Sequence, residues 1–303
     1  MRTDLYVEGV LSKCVALQES GIWAPEPVVR PEAWLNNFSG VDEQLLATIL
    51  LDNLIFYSDR AADRLLRAAY TTLEDGILSG AIQVDRSPGD FVDAMIFAPV
   101  EGEEPRPTDS GKALCRKLRN INSIDDTRFV TPRDAVGAAA SGTPIVLVDD
   151  FLGSGQQLIR TWKRHYCTTD PMSLEQAYRT RQYPIMCLAL VATQTAISHI
   201  ASEAPPIVVH ATHVIDASYS VAALSAPVLS PPLADFQGQL KRLLEKYAPS
   251  LVLEPFLQSG EPRLFGFHSL GLMMAFEHGV PDSTLPIIRA EGAANWARLV
   301  TAQ

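Results

Sequence analysis

Cysteine is scarce in this chain. Cys14, Cys115, Cys167 and Cys187 are scattered through 303 residues with no Cys-x-x-Cys pair, so the thiols are expected to be reduced, as in a cytoplasmic protein. Positive charge is also short. Lys and Arg total 25 against 35 Asp and Glu, a net charge of −10, and broad electrostatic binding to nucleic acid needs a basic face. Direct nucleic-acid binding is therefore not expected, although a local basic patch is compatible with the total. No apolar run approaches membrane-spanning length, and Met1-Arg2-Thr3-Asp4-Leu5 lacks a signal-peptide pattern, so no membrane association is expected. Three chemical signatures are missing as well. No Lys follows the glycines as a P-loop demands, no Gly-x-Gly-x-x-Gly fingerprint is completed, and no Gly-x-Ser-x-Gly elbow is present. What the chain does have is 47% hydrophobic residues, ample for one large or two modest domains.

The stretch Pro144-Ile145-Val146-Leu147-Val148-Asp149-Asp150-Phe151-Leu152-Gly153-Ser154-Gly155-Gln156-Gln157 concentrates the chemistry. Its apolar start reads as a strand buried on both faces, the kind found in parallel sheets. Two carboxylates stand where that strand is expected to end, a glycine-flanked Ser154 makes a turn, and Leu158-Ile159-Arg160-Thr161-Trp162 starts a helix. Glycines let backbone approach a ligand closely, and a helix N-terminus faces phosphate with free N–H groups. The carboxylates can accept from sugar hydroxyls or hold a divalent ion. The alternative is a plain strand–turn–helix with solvated acids, but two carboxylates beside an apolar strand are costly unless something uses them.

Elsewhere the signals are coarser. Residues 1 to 20 are only loosely helical, and a Pro-rich connection follows through Pro25, Pro27 and Pro31. Residues 41 to 70 show strong helical periodicity, divided where Ser58-Asp59 offers a cap. Residues 1 to 80 thus read as a helical front piece, with Trp23 and Trp34 as packing anchors, and 81 to 303 as the α/β domain with a C-terminal extension. Phe91 to Val100 reads as its first strand. Ser110-Gly111-Lys112 then opens a helix that carries Arg116, Lys117 and Arg119. Residues 121 to 142 look irregular, apart from a helix start at Thr131-Pro132-Arg133-Asp134. Residues 168 to 182 look like a polar link. Strands at 185 to 192 and 207 to 211 and a helix near 193 to 202 give a strand–helix–strand rhythm. That rhythm fits a doubly wound, mostly parallel sheet. His210 and His213 read as satisfied strand-end histidines, and the last third of the chain has a helix at about 235 to 247.

Strand, acid pair and Ser-Gly turn together resemble the ligand loop of type I phosphoribosyltransferases, which bind 5-phosphoribosyl-1-pyrophosphate (PRPP). The resemblance implies that Asp149 and Asp150 hold the ribose hydroxyls, with Mg²⁺ alongside, and that Phe151, Leu152, Gly153, Ser154, Gly155, Gln156 and Gln157 form the loop that cradles the 5-phosphate. Ser110, Gly111 and Lys112 sit where that family contacts pyrophosphate; a helix N-terminus plus Lys112 suits that group, while a solvated basic helix is the ordinary reading. Arg128 and Arg133 fall where the family has a mobile hood loop. Gln157 departs from the usual Thr.

Gly266-Phe267-His268, Phe276-Glu277-His278-Gly279-Val280-Pro281-Asp282-Ser283-Thr284-Leu285-Pro286 and Asn295-Trp296, with Trp34-Leu35 and Asp109-Ser110-Gly111, resemble a phosphoribosyltransferase-like family associated with bacterial conflict systems. By that resemblance His268, Glu277 and His278 are proton-transfer candidates. Hydrogen bonds that pin the C-terminal tail to the sheet are the plain alternative. The implied function is transfer or cleavage of a ribosyl phosphate group in an anti-phage defence setting, with other defence proteins as partners. The alternatives are a non-catalytic PRPP- or nucleotide-sensing subunit, or a toxic effector.

Overall fold

The computed structural model describes residues 3–84, 86–102, 110–166, 171–225, 235–254, 257–293 and 295–301. Cys167, Asp109 and most of the Pro-rich loop 101–110 lie outside them. In chain order the elements begin with α1 (Thr3–Glu19), α2 (Pro31–Leu35), α3 (Val41–Asp52), β1 (Ile55–Tyr57) and α4 (Asp59–Leu78). Next come α5 (Pro88–Ala94), β2 (Ile96–Pro99), α6 (Ser110–Asn122), α7 (Pro132–Ala140), β3 (Ile145–Leu152) and α8 (Gln156–Lys163). They continue with α9 (Leu174–Arg181), β4 (Ile185–Thr193), α10 (Gln194–Glu203), β5 (Ile207–Ile215) and α11 (Phe236–Tyr247). The tail holds β6 (Leu251–Val252), α12 (Pro262–Phe265), β7 (Met274–Phe276), α13 (Pro286–Arg289) and β8 (Glu291–Gly292).

These elements form two compact units: residues 1–61 with 216–303, and residues 62–215. The central unit is the α/β core. Its sheet runs β2-β3-β4-β5, parallel throughout. Every residue of β4 is buried, which is why its sequence is continuously apolar rather than alternating. Ile145, Leu147, Ile185 and Cys187 pack with side chains of α7, α8, α9 and α10, while the alternate residues Val146, Val148, Met186 and Leu188 are no more than 1% exposed. Both faces of the sheet are therefore covered, as in an α/β layer fold. The α4 helix buries Ala62, Leu66, Ala69, Tyr70, Leu73 and Ile77, spaced by three and four residues along one face.

The other unit joins the front of the chain to its tail. β1 pairs in parallel with β7, Phe56 opposite Ala275. α3 buries seven successive residues from Leu45 to Leu51, a helix apolar all round and hence interior. Trp34 is fully buried and its Nε1 donates to Ile287 O at 2.9 Å; Trp23 is buried too. Phe38 meets Trp34, Tyr247 and Trp296 edge-on at 5.0 to 6.0 Å.

Four readings of the sequence are corrected. Residues 3–19 form a full helix. Residues 91–94 belong to α5, and the strand is confined to Ile96–Pro99; Pro88 at the helix start with Asp90 in the first turn outweighs the apolar run. Residues 121–142 are mostly helical, because Thr131 Oγ1 accepts from Asp134 N at 3.2 Å and starts α7. The supposed polar link contains α9, opened by a reciprocal cap in which Ser173 Oγ accepts from Gln176 N and Gln176 Oε1 accepts from Ser173 N.

Candidate functional site

The acidic pair sits where the sheet loses one neighbour. On one side β2 runs only to Pro99, opposite Val148, with a last bond from Val100 N to Val148 O. On the other side β4 keeps pairing as far as Leu152 opposite Ala192. β3 thus continues four residues past Val148, and Asp149 and Asp150 lie inside it, flanked among the described residues by β4 alone. The start of α6 lies beside them. A Cβ on Gly111 would come within 2.9 Å of Val100 O and 3.2 Å of Val148 O, so only glycine lets that helix begin so close to the strand ends. Ser110 Oγ donates to Asp150 Oδ1 at 3.3 Å, and Lys112 is half-buried in the first turn.

The two acids are not equivalent. Asp149 is 4% exposed, and its Oδ1 accepts from Asp150 N at 3.0 Å. Asp150 is the outer carboxylate, half-buried. Near Asp149, burial and the neighbouring carboxylate push the Cys115 thiol up to about 12, and raise Cys187 well above its ordinary value.

The glycine turn is held from beneath. Thr193, at the end of β4, donates through Oγ1 to Gly153 O at 2.5 Å and accepts from Ala196 N at 2.9 Å. His199 of α10 donates through Nδ1 to Ser154 O at 2.8 Å. Ser154 Oγ accepts from Gln156 N at 3.3 Å. Gly155 caps α8 with φ 76°, and a Cβ there would lie 2.9 Å from Ile200 Cγ1; the position needs glycine for its backbone and for its packing. Phe151 is half-buried and Leu152 buried; Gln156 is half-buried and Gln157 is exposed. An open groove flanks this turn along α8 and α10, lined in part by Arg160, Lys163, His199 and Glu203. The hydrogen bond from Lys163 holds the Glu203 carboxyl below its usual range.

The structure thus gathers Asp149, Asp150, residues 151–157 and Ser110, Gly111 and Lys112 in the central unit. Thr193 and His199 were not singled out in the sequence, although Thr193 directly before a helix carries a cap signal. His268, Glu277 and His278 belong to the other unit. There Glu277 Oε2 accepts from Asp59 N at 2.8 Å at the start of α4, and Glu277 N donates to Tyr57 O at 2.9 Å. His278 Nδ1 lies 3.7 Å from Asp59 Oδ1, and its ring stacks on Phe276, which stacks on Tyr57. Residues 276–278 are therefore pinned to the β1–α4 junction. His268 is exposed with φ 55°, an uncommon backbone state for a non-glycine residue. Arg128 is tied to the end of α5, donating to Met95 O and Val92 O and lying over Phe97. Arg133 is exposed on the first turn of α7.

A buried parallel strand that carries an acid pair into a glycine turn and a helix start places this chain among phosphoribosyltransferase-like α/β proteins. Comparison with protein families narrows the class: the PRTase-CE model matches residues 31–301, and the chain belongs to that family. None of the curated proteins matches it.

Proposed function

We propose that the central unit binds PRPP or a related ribose phosphate and transfers or cleaves its ribosyl phosphate group. The observation that carries this reading is the convergence of an outer carboxylate, a glycine turn at a helix start, and a second helix start on one end of the sheet. Asp150 accepts from the ribose hydroxyls, while Asp149 fixes the backbone beneath it. The turn 153–157 and the first N–H groups of α8 face the 5-phosphate. Ser110 and the start of α6, with Lys112, face the pyrophosphate as charge builds on it. Positioning and fixed electrostatics supply the catalysis, and no protein nucleophile is required.

Two adjacent carboxylates suit a Mg²⁺ ion only if other oxygens complete its shell. Among the described residues no group of three or more His, Cys, Asp or Glu is placed to hold a metal. Asp149 and Asp150 would hold such an ion, with phosphate, sugar and water oxygens as its remaining ligands. When bound, such an ion would supply charge neutralisation to the leaving pyrophosphate.

The setting we assign, on the resemblance of the C-terminal motifs, is a cytoplasmic anti-phage defence system with other defence proteins as partners. Among the described residues no helix is long and apolar enough to cross a membrane. A second reading, a sensor that binds the same ligand without turnover, is favoured by the exposed Gln157 where the family places Thr. Incubating the protein with PRPP and Mg²⁺ and following pyrophosphate release separates the two. Release identifies an enzyme, binding without release supports the sensor, and indifference to PRPP, ribose phosphates and nucleotides defeats both.

A further inference from the structure

The sheet of the central unit ends in β5. One side of this strand pairs with β4 from Ile207 opposite Ile185 to Ile215 opposite Thr193. Among the described residues no strand pairs with its other side. Edge strands invite pairing with another chain, and proteins ordinarily blunt them with charge, Pro, a bulge or short length. This one uses none of those devices. It is nine residues long, Ile-Val-Val-His-Ala-Thr-His-Val-Ile, largely β-branched, without Asp, Glu, Lys, Arg, Pro or Gly. Val208 is 44% and Val214 45% exposed. The middle of the strand is braced, since Thr212 Oγ1 donates to Leu65 O at 2.9 Å.

The order of residues says which partner fits. About Ala211 the outer two pairs are the same residue, Ile207 with Ile215 and Val208 with Val214, while the inner two differ. Antiparallel pairing with an identical strand centred there sets Ile207 against Ile215, Val208 against Val214, Val209 against His213 and His210 against Thr212. The two exposed valines cover one another across the two-fold axis, and β-branched cross-strand pairs of this kind stabilise a sheet. Charge points the same way. Copies of a chain with net charge −10 repel one another on balance, whereas β5 lets two copies meet along a segment without Asp, Glu, Lys or Arg.

We propose that β5 pairs with β5 of a second copy, antiparallel and centred on Ala211, joining two four-stranded sheets into one. This is a two-fold, self-complementary contact, and it stands independently of the ribose-phosphate reading.

Sedimentation velocity of the full chain over a concentration series tests it. The expected mass is twice the 33.1 kDa of the chain. Val208→Lys and Val214→Lys, each at an exposed position, are expected to keep the circular dichroism spectrum and to sediment as monomers at the same concentrations. A parent that remains monomeric, or folded Lys variants that remain dimeric, overturns the proposal. The register has its own test, which needs no disruptive variant. Under mild oxidation the double variant Val208→Cys/Val214→Cys is expected to form a covalent dimer on a non-reducing gel, beyond any background of the parent. Either single variant is expected to stay at that background. Equal cross-linking by the single variants, or none by the double variant, contradicts the centred register.

Discussion

Ser110 Oγ and Asp150 Oδ1 lie 3.3 Å apart, a hydrogen bond across 40 positions of sequence that ties the start of α6 to the outer acid of β3. The bond shows which groups Asp150 already accepts: a hydroxyl, delivered from the side on which β2 has ended. A sugar hydroxyl offers the same donor to the same oxygen.

The division of labour within the acid pair gives one prediction. Asp149→Ala removes the acceptor of Asp150 N and is expected to cost about 1–3 kcal/mol of stability; Asp149→Asn, which keeps an oxygen there, is expected to cost less. Chemical denaturation of the two variants checks this. Equal losses would mean that Asp149 acts through its charge alone.

Gly155→Ala tests the turn. The left-handed backbone alone costs about 1–2 kcal/mol with a side chain, and the close approach of Ile200 Cγ1 at 2.9 Å adds strain. Calorimetry should show a melting temperature lowered by several degrees, with weaker ribose-phosphate binding. An unchanged melting temperature would show that the turn relaxes freely.

Glu277 separates capping from chemistry. Its carboxylate accepts from Asp59 N at the start of α4, so Glu277→Ala is expected to cost about 1 kcal/mol of stability. Glu277→Gln, which keeps an acceptor, is expected to cost less, and both variants are expected to bind ribose phosphate like the parent. Loss of turnover in Glu277→Gln with stability intact would return Glu277 to a proton-transfer role.

How far the sequence carried the argument depends on the range of the interaction. β3, α8, β4 and α10 were legible because apolar runs, glycines and caps are local signals. α9 carried such a signal as well, in Ser173 and Gln176, inside a segment whose polarity suggested a link. The extension of β3 past Val148 was not legible, because pairing with β4 overrides the polarity of two aspartates. Nor was the pairing of β1 with β7, or the binding of Ser110 to Asp150, since each depends on where distant segments come to rest. Glu277 and His278 were visible as chemical groups, but only the position of Asp59 shows what they hold.

The thiols give a prediction in pH. Burial lifts Cys14 to about 11 and Cys115 to about 12, and raises Cys187 well above its ordinary value. A raised thiol pKa keeps the unreactive protonated form at neutral and mildly alkaline pH. Iodoacetamide should leave these three peptides unmodified in native protein and label them after denaturation. Rapid native labelling of Cys115 or Cys187, read by peptide mass spectrometry, would contradict the packing around Asp149.

The central claim is that Asp150 holds the ribose of a bound ribose phosphate. Calorimetric titration of parent and Asp150→Asn with PRPP in the presence of Mg²⁺ tests it most directly. The account predicts saturable binding to the parent and affinity at least about 10-fold weaker in the variant, a difference of about 1.4 kcal/mol, at an unchanged melting temperature. A parent that gives no binding heat, or a variant that binds as tightly as the parent, would contradict it.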